Sequence, residues 1–265
     1  MFSDINFVEP VERTLDSKFK FRCHKDIGCF NKCCTRADIL LTPYDVLRMK
    51  RRLGISSEEF LEKYTHTHID ENSSHPYALL VMMDDNEGKC PFLTPEGCSI
   101  YEDRPTNCRH YPVGQGIMIS GPETEPVTKD FFFFIREPGC LGYNEEKEWT
   151  IETWRVDQGV DLYDDMNREW KEIQLRRDAM GQPQLDPKKQ ALIYMASYDL
   201  DKFRKFVFES RLLDIIDTEE VETIKNDEVA LMKFGFKYLK YVLMLEETLK
   251  VKEEYKEKTT DAGNM

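Results

Sequence analysis

Residues 90–112 read CPFLTPEGCSIYEDRPTNCRHYP, and this stretch carries Cys90, Cys98 and Cys108, three of the eight cysteines in the chain. Proline or glycine recurs every few residues here, so the backbone turns repeatedly and has no room for a long helix. Thiols in such a stretch meet through loops and not along one regular element. The fold of this part therefore depends on what joins the thiols.

The other five cysteines also lie before residue 141, and the last 125 residues contain none. An N-terminal group has the form Cys23-x5-Cys29-x3-Cys33-Cys34, and Cys140 stands alone in a Pro-Gly-Cys-Leu-Gly sequence. Free cysteines that serve only as small hydrophobic residues would be scattered through both halves of the chain. The clustering predicts metal binding, with redox chemistry as the second interpretation.

Charge and hydropathy exclude other classes of function. The 265 residues carry a formal net charge of −13, which lacks the basic footprint that binding to nucleic acid requires. The wholly apolar runs, among them Ala78–Met83 and Phe131–Ile135, are far shorter than the roughly 20 residues of a membrane-spanning helix, and the N-terminus has no basic-then-apolar signal. We therefore expect a cytoplasmic protein with no membrane span, in which a reducing environment keeps the thiols free.

The spacing bears on which metal is bound. Zinc knuckles usually contain two Cys-x2-Cys pairs, and this chain has none. Irregular spacing and eight thiols fit a 4Fe-4S cluster better, with a Zn²⁺ ion held by four thiolates as the alternative. All eight cysteines are candidate metal ligands: Cys23, Cys29, Cys33, Cys34, Cys90, Cys98, Cys108 and Cys140.

Adjacent cysteines pose a separate question. Successive side chains diverge by about 100° on a helix and 180° on a strand, so Cys33 and Cys34 are not expected to serve one site together. One of them is then a ligand, and the other is a core residue or belongs to a second site. The sequence leaves open whether there is one site or two.

Basic residues flank the third cysteine of the 90–112 stretch. Arg104 and Arg109 are candidates for cofactor binding outside the ligand set, since a guanidinium donates hydrogen bonds and offsets the negative charge of a thiolate cluster. His24 and His110 lie beside candidate ligands and have either a ligating or a supporting role.

Local patterns predict short elements first and helices afterwards. Thr42-Pro43-Tyr44-Asp45 favours a helix over about 43–53, and Ser56 to Glu59 has the form of a capping box before a second helix. Apolar β-prone runs predict strands at 78–83, 113–120 and 130–135. Helical spacing then predominates from about 148, interrupted at Gly159, and a last long helix is predicted from Asn226-Asp227 to about Leu249.

These patterns predict an α-rich α+β protein. We expect an irregular cysteine-rich metal domain with short strands and helices at 1–147, packed on a helical region at 148–255, and a disordered tail at 256–265.

The motifs resemble those of the YkgJ-like cysteine-cluster family of zinc- or iron-chelating domains. The resemblance covers about residues 20–115 and rests on Cys29-x3-Cys33-Cys34, Cys90-Pro-Phe-Leu, Cys98-Ser-Ile-Tyr and the segment from Arg104 to Pro112. The chain departs from the family pattern in the longer spacing between Cys23 and Cys33, so the pattern does not by itself assign Cys23 as a metal ligand.

The resemblance implies metal chelation. We expect an electron-transfer module, or a structural or interaction module, with a redox or other protein partner not identified by the sequence. One branch of the family resembles flagellin lysine N-methylases, so the alternative is a protein lysine N-methyltransferase that uses S-adenosylmethionine beside an iron–sulfur cluster. The sequence contains no motif that binds this cofactor, and whether the protein is an enzyme stays open.

Overall fold

The computed structural model describes residues 7–9, 11–120, 127–181, 184–243 and 245–255. The chain forms two compact units, and each unit draws on two separate stretches. The first unit comprises Met1–Asp45 and Leu79–Met166, and the second comprises Val46–Ala78 and Asn167–Met265. The domain limits predicted at 147 and 255 stay predictions, and the predicted tail at 256–265 lies outside the described residues.

The strands are short, with one exception. They are β1 (Lys18–Lys20), β2 (Leu40–Leu41), β3 (Thr65–Ile69), β4 (Pro76–Leu80), β5 (Leu93–Thr94), β6 (Gly97–Cys98), β7 (Val113–Ser120), β8 (Val127–Phe134), β9 (Glu148–Thr150), β10 (Ile216–Asp217) and β11 (Lys250–Val251). The exception is the antiparallel hairpin β7–β8, which pairs Val113 with Phe134 and continues to Ser120 and Val127.

Helices account for most of the remaining regular structure. They are α1 (Pro43–Leu53), α2 (Ser57–Tyr64), α3 (Thr106–His110), α4 (Ile151–Gln158), α5 (Val160–Ala179), α6 (Pro187–Tyr198), α7 (Leu200–Glu209), α8 (Leu212–Ile215), α9 (Val221–Asn226) and α10 (Glu228–Val242). The predicted α-rich α+β class is confirmed.

Several predicted boundaries are confirmed by local geometry. The first helix spans Pro43–Leu53, and the capping box is formed by Ser56 and Glu59 at the start of α2. Gly159 has φ 63°, a left-handed conformation that costs glycine little, and it separates α4 from α5.

The predicted end of the last helix is wrong. Helix α10 stops at Val242, and Leu245 and Leu249 are buried because the chain folds back on the helix. The hydroxyl of Thr248 donates to the carbonyl of Lys237, which fixes this return.

An aromatic core organises the first unit. Phe19 lies on β1, which pairs antiparallel with β9, and Phe21 follows directly after this strand. Both rings contact Trp154 of α4 edge-on. Phe132 and Phe134 from β8 complete the buried cluster. Tyr111 and Cys140 pack against it, so this core supports two of the segments that carry candidate ligands.

Helices pack closely in the second unit. Gly235 of α10 lies so near α6 that an added Cβ would stand 2.6 Å from the carbonyl oxygen of Ala196. Phe203 and Phe234 are fully buried in this region. Asp199 accepts from the Ser57 hydroxyl at 2.7 Å and from the backbone N–H of Lys202, which caps α7.

Candidate metal centre

All eight cysteines lie in the first unit, and none forms a disulfide. Cys23, Cys33 and Cys108 are exposed, Cys29 is buried, and the remaining four are partly exposed. Exposed free thiols are open to oxidation, and proteins seldom gather several of them without a use. Their accumulation in one unit indicates a shared role.

Main-chain contacts bring the first and last cysteines together. The backbone N–H of Arg22 donates to the carbonyl of Gly142 at 3.0 Å, so Cys23 lies beside the segment that holds Cys140. The backbone N–H of Leu141 donates to the sulfur of Cys29 at 3.2 Å. Burial and the neighbouring thiols of Cys33, Cys29 and Cys140, in that order, raise the pKa of Cys23 to about 11.

A second set of contacts joins Cys34 to the 90–112 stretch. The backbone N–H of Cys90 donates to the carbonyl of Cys34 at 2.8 Å, and Thr35 bridges to Lys89. The hairpin β5–β6 pairs Leu93 with Cys98 and so returns the chain toward Cys90. These pairings align the turn that carries Cys34 with the stretch that carries Cys90 and Cys98, far along the chain.

The third cysteine of the 90–112 stretch is Cys108. Cys108 lies in α3, and its sulfur is surrounded by protein atoms although the residue keeps solvent contact. Burial of the sulfur and the neighbouring groups Cys90, Asp45, Cys98 and Cys33, in that order, raise its pKa.

Cys33 and Cys34 occupy a short 3₁₀ turn, Lys32–Cys34, that follows Asn31 in a left-handed conformation. Their thiols hydrogen-bond to each other, which lowers the pKa of Cys33 and raises that of Cys34. Whether one of the two is a ligand while the other is a core residue or belongs to a second site stays a prediction.

Backbone amides are directed at two of the sulfurs. Burial raises the pKa of Cys90, and a hydrogen bond from the backbone N–H of Phe92 opposes that shift. At Cys98 the backbone N–H of Ile100 has the same effect. In both cases the donor lies two residues after the cysteine, and such amide donors stabilise the thiolate form that binds metal.

Both predicted arginines are buried, at 7% exposed for Arg104 and 6% for Arg109. Arg104 stacks on the Tyr101 ring at 3.8 Å and donates to the Tyr101 carbonyl at 2.6 Å. Its charge lowers the pKa of Cys98, although burial of that thiol has the larger and opposite effect. The guanidinium therefore lies in the electrostatic surroundings of the second group of thiols.

Arg109 holds the backbone of the same loop. It donates to the carbonyl of Arg104 at 3.1 Å, to that of Glu102, and to that of Gln158 at 2.8 Å. The role of both arginines toward a bound cofactor stays a prediction, as do the eight ligand assignments.

Neither histidine beside a cysteine is directed at a thiol. His24 Nε2 lies 3.4 Å from a carboxylate oxygen of Glu145. His110 is buried, and its Nε2 lies 3.2 Å from Asp164. The donor set within reach of a metal is therefore one of sulfur atoms.

Sequence reasoning missed two buried carboxylates beside α3. Asp164 lies on helix α5, yet it is 3% exposed, and it accepts a hydrogen bond from Arg155 at 2.8 Å in addition to its contact with His110. Asp45 is fully buried and accepts hydrogen bonds from both Thr42 and Thr106. No periodicity distinguishes them from exposed acids, and only an acid at the first turn of a predicted helix hinted at Asp45.

Residues 22–146 match the family model CxxCxxCC, described as "putative zinc- or iron-chelating domain". This stretch is similar to the CxxCxxCC domain. The match contains all eight cysteines and confirms the family resemblance stated above. No curated protein and no solved structure matches the chain.

The donor chemistry of this stretch fits a zinc or iron centre. Its thiols are free, amides and a guanidinium accompany them, and the Nε2 atom of His110 is occupied by Asp164. As the side chains stand, no three His, Cys, Asp or Glu in the described part of the chain form a group that could hold a metal ion. Binding of a metal ion therefore requires the sulfurs to move closer together.

The structure bears on the prediction that the chain has no membrane-spanning helix. Among the residues that the structure describes, no helix combines the length and the apolar composition needed to cross a membrane. The S-adenosylmethionine-dependent activity stays a prediction.

Proposed function

We propose that the stretch 22–146 binds an iron–sulfur cluster of the 4Fe-4S type through its cysteines and transfers electrons to a protein partner. The observation that carries the proposal is the gathering of eight unpaired thiols in one unit, beside a histidine, His110, whose Nε2 is already occupied by Asp164. An all-sulfur donor set selects soft or borderline metals, which are iron in clusters and zinc.

Iron is favoured over zinc by the surroundings of the thiols. The amides of Phe92 and Ile100 and the guanidinium of Arg104 all act on sulfur and add positive potential there. Hydrogen bonds to sulfur and nearby charge are the means by which a protein sets the potential of a cluster. A closed structural zinc site has less use for such tuning.

Electron transfer is favoured by exposure. Cys23, Cys33 and Cys108 keep solvent contact, so a centre held by them lies at the surface of its unit. A structural zinc site is instead typically closed by its four ligands. When bound, the cluster supplies one-electron redox chemistry.

The chain's own residues prepare the site in three ways. The backbone pairing of Cys34 with Cys90 and of Leu93 with Cys98 aligns the ligand segments. Amide donors at Cys90 and Cys98 oppose the rise in pKa that burial causes and so stabilise the thiolate form. Arg109 fixes the loop before α3 by bonding to its carbonyls, which positions Cys108.

The test is purification under anaerobic conditions, with iron, acid-labile sulfide and zinc measured on the same sample. We expect equal amounts of iron and sulfide, a broad visible absorption that bleaches on reduction with dithionite, and recovery on reoxidation. Zinc without sulfide would overturn the iron–sulfur proposal. Iron and sulfide without reversible reduction would overturn electron transfer and leave a structural centre.

A further inference from the structure

The second unit contains a cavity that the proposed metal centre does not use. Its volume is about 410 Å³, which lies within the range of roughly 300–1,000 Å³ found for small-ligand sites. Its walls come from the turn between β3 and β4, from β4 itself and from the end of α5. The lining residues are Asp70, Asn72, Ser73, Tyr77, Arg177 and Asp178. Three of these six side chains are charged, so the cavity suits a charged ligand.

Arg177 places a buried cation at the cavity wall. The residue is 3% exposed. Burial lowers the pKa of its guanidinium, while the neighbouring Asp178 and Tyr77 oppose that shift, and a guanidinium stays charged at neutral pH. Its planar N–H donors match the two oxygens of a carboxylate. Arg177 is therefore the group that receives a carboxylate of a ligand in this cavity.

Asp70 is held by the turn that contains it. Its Oδ1 atom accepts from the backbone N–H of Asn72 at 3.1 Å, from that of Ser73 at 2.8 Å and from the Ser73 hydroxyl at 2.8 Å. The backbone bond from Ser73 lowers the pKa of Asp70, and burial opposes that shift only in part. Within the described residues these bonds all use Oδ1, so Oδ2 is the acceptor that remains for a ligand cation.

Asp178 supplies a second carboxylate from another direction. It follows Arg177 directly on α5, where successive side chains point about 100° apart. Both residues line the cavity, so this carboxylate and the guanidinium face the same space without sharing one side of the helix. Asp178 is exposed, so it can be substituted with little effect on the folded core.

Tyr77 forms a wall that is held in place from behind. Its hydroxyl donates to Oε1 of Gln174 at 2.9 Å, and Nε2 of Gln174 lies 3.1 Å from Nε2 of His75. The rings of His75 and Trp170 pack on Tyr77 with centroid distances of 4.9 and 6.1 Å. This wall is therefore set before a ligand arrives, which lowers the entropy cost of binding.

The charges in the cavity decide the class of ligand. One guanidinium and two carboxylates leave a net charge of −1, in a chain whose formal net charge is −13. A simple anion meets repulsion from both carboxylates, and a simple cation meets the buried guanidinium. A small zwitterion, with its two opposite charges close together, satisfies both kinds of group.

We propose that this cavity binds a free α-amino acid, whose carboxylate pairs with Arg177 and whose ammonium group pairs with Asp70 and Asp178. An amino acid carries both charges on one carbon atom and is small enough for the volume available. The proposal is independent of the metal centre proposed above, because every residue that it uses lies in the second unit.

The test is isothermal titration calorimetry of the full chain with each standard free amino acid in turn. We expect at least one of them to bind saturably at one site per chain. The carboxamide and the N-acetyl derivative of that amino acid each lack one of the two charges. Each should bind at least about tenfold more weakly, since each loses hydrogen bonds between charged groups.

Substitutions assign the binding to this cavity. Asp178→Asn removes one exposed carboxylate and should weaken binding by about tenfold, with no change in the melting temperature. Glu71→Gln is the matched control, because Glu71 is an exposed acid beside Asp70 that does not line the cavity, and it should bind as the wild type does. Arg177→Lys keeps the charge and loses the planar pair of donors, so it should also weaken binding.

Three results would overturn the proposal. They are the absence of saturable binding by every amino acid, equal affinity of the parent amino acid and a derivative that lacks one charge, and equal affinity of Asp178→Asn and Glu71→Gln. Each of these leaves the iron–sulfur proposal untouched, since that proposal is tested by iron and sulfide content.

Discussion

Asp45 offers the sharpest test of how the protein positions Cys108. One carboxylate oxygen accepts from the backbone N–H of Thr42 at 2.8 Å. The other accepts from the backbone N–H of Thr106 at 2.8 Å and from its hydroxyl at 2.7 Å. The carboxylate thus joins the start of α1 to the start of α3, two residues before Cys108. Its replacement should loosen both helix starts.

The variant Asp45→Asn keeps the shape and loses one acceptor. If its oxygen stays on Thr106, its NH₂ group faces the N–H of Thr42, and this buried donor is left unpaired at a cost of about 1–3 kcal/mol. The bonds to Thr106 also lose their charge assistance, at about 1 kcal/mol in total. Burial raises the pKa of Asp45, so removal of the charge returns part of that cost. We expect a net loss of about 2 kcal/mol, and of about 3–5 kcal/mol for Asp45→Ala, which unpairs every donor.

Hydrogen exchange read by mass spectrometry measures this locally. A loss of 2 kcal/mol corresponds to roughly 30-fold faster exchange of the Thr42 and Thr106 amides, since about 1.4 kcal/mol is a factor of ten. Asp16→Asn at an exposed position is the matched control and should leave these amides unchanged. Unchanged exchange at Thr106 in Asp45→Asn, or equal effects of Asn and Ala, would refute the reasoning.

Three further predictions concern other buried polar groups. Arg104→Lys loses the planar stacking on Tyr101 and should speed metal release to a chelator several-fold, because a lysine ammonium cannot reproduce the guanidinium contacts. Asp164→Ala leaves Arg155 buried without its buried acid and should lower the free energy of unfolding by about 3–5 kcal/mol, measured by denaturant titration. Burial lowers the pKa of His75 to about 3, below its ordinary value near 6.5, so the unfolded chain binds the extra proton between those values. Stability should therefore fall as pH drops through that window, by about 1.4 kcal/mol per pH unit, and His75→Gln should flatten the slope by that amount.

Each of these three predictions has a matched control variant or a result that would contradict it. Equal chelator release from wild type and Arg104→Lys would leave the arginine with a role in loop geometry only. An Asp161→Ala variant removes the exposed acid that also pairs with Arg155 and should cost much less than Asp164→Ala. His66→Gln, at an exposed position, should keep the acid slope that His75→Gln loses.

Local signals in the sequence predicted local structure well. The limits of α1, the capping box of α2 and the break at Gly159 follow from side-chain and backbone preferences within a few residues. The end of α10 was predicted wrongly because Leu245 and Leu249 continue the helical spacing of apolar residues. Their burial comes from a return of the chain, and spacing alone does not distinguish the two arrangements.

The candidate site was predicted as a set of residues and not as an arrangement. Cysteine clustering identified the thiols, and the matched family model covers all of them. The contacts of these cysteines were beyond the sequence, since the pairing of Cys34 with Cys90 joins residues far apart along the chain. The sequence argument considered Cys33 and Cys34 on a helix or a strand, whereas the chain forms a single 3₁₀ turn there.

Helix α3 shows why long-range contacts decide the position of a ligand. Five residues are too few for a stable isolated helix, since nucleation costs more than one turn returns. Thr106 is held by Asp45, Arg109 by three carbonyls, and His110 by Asp164. Contacts with buried polar and charged groups thus anchor the residues before and after Cys108 in the sequence. The position of Cys108 is therefore set by the protein and not by the metal. Loss of metal should then leave α3 folded, while the loops that carry Cys23 and Cys29, which contain little regular structure, lose more of their protection.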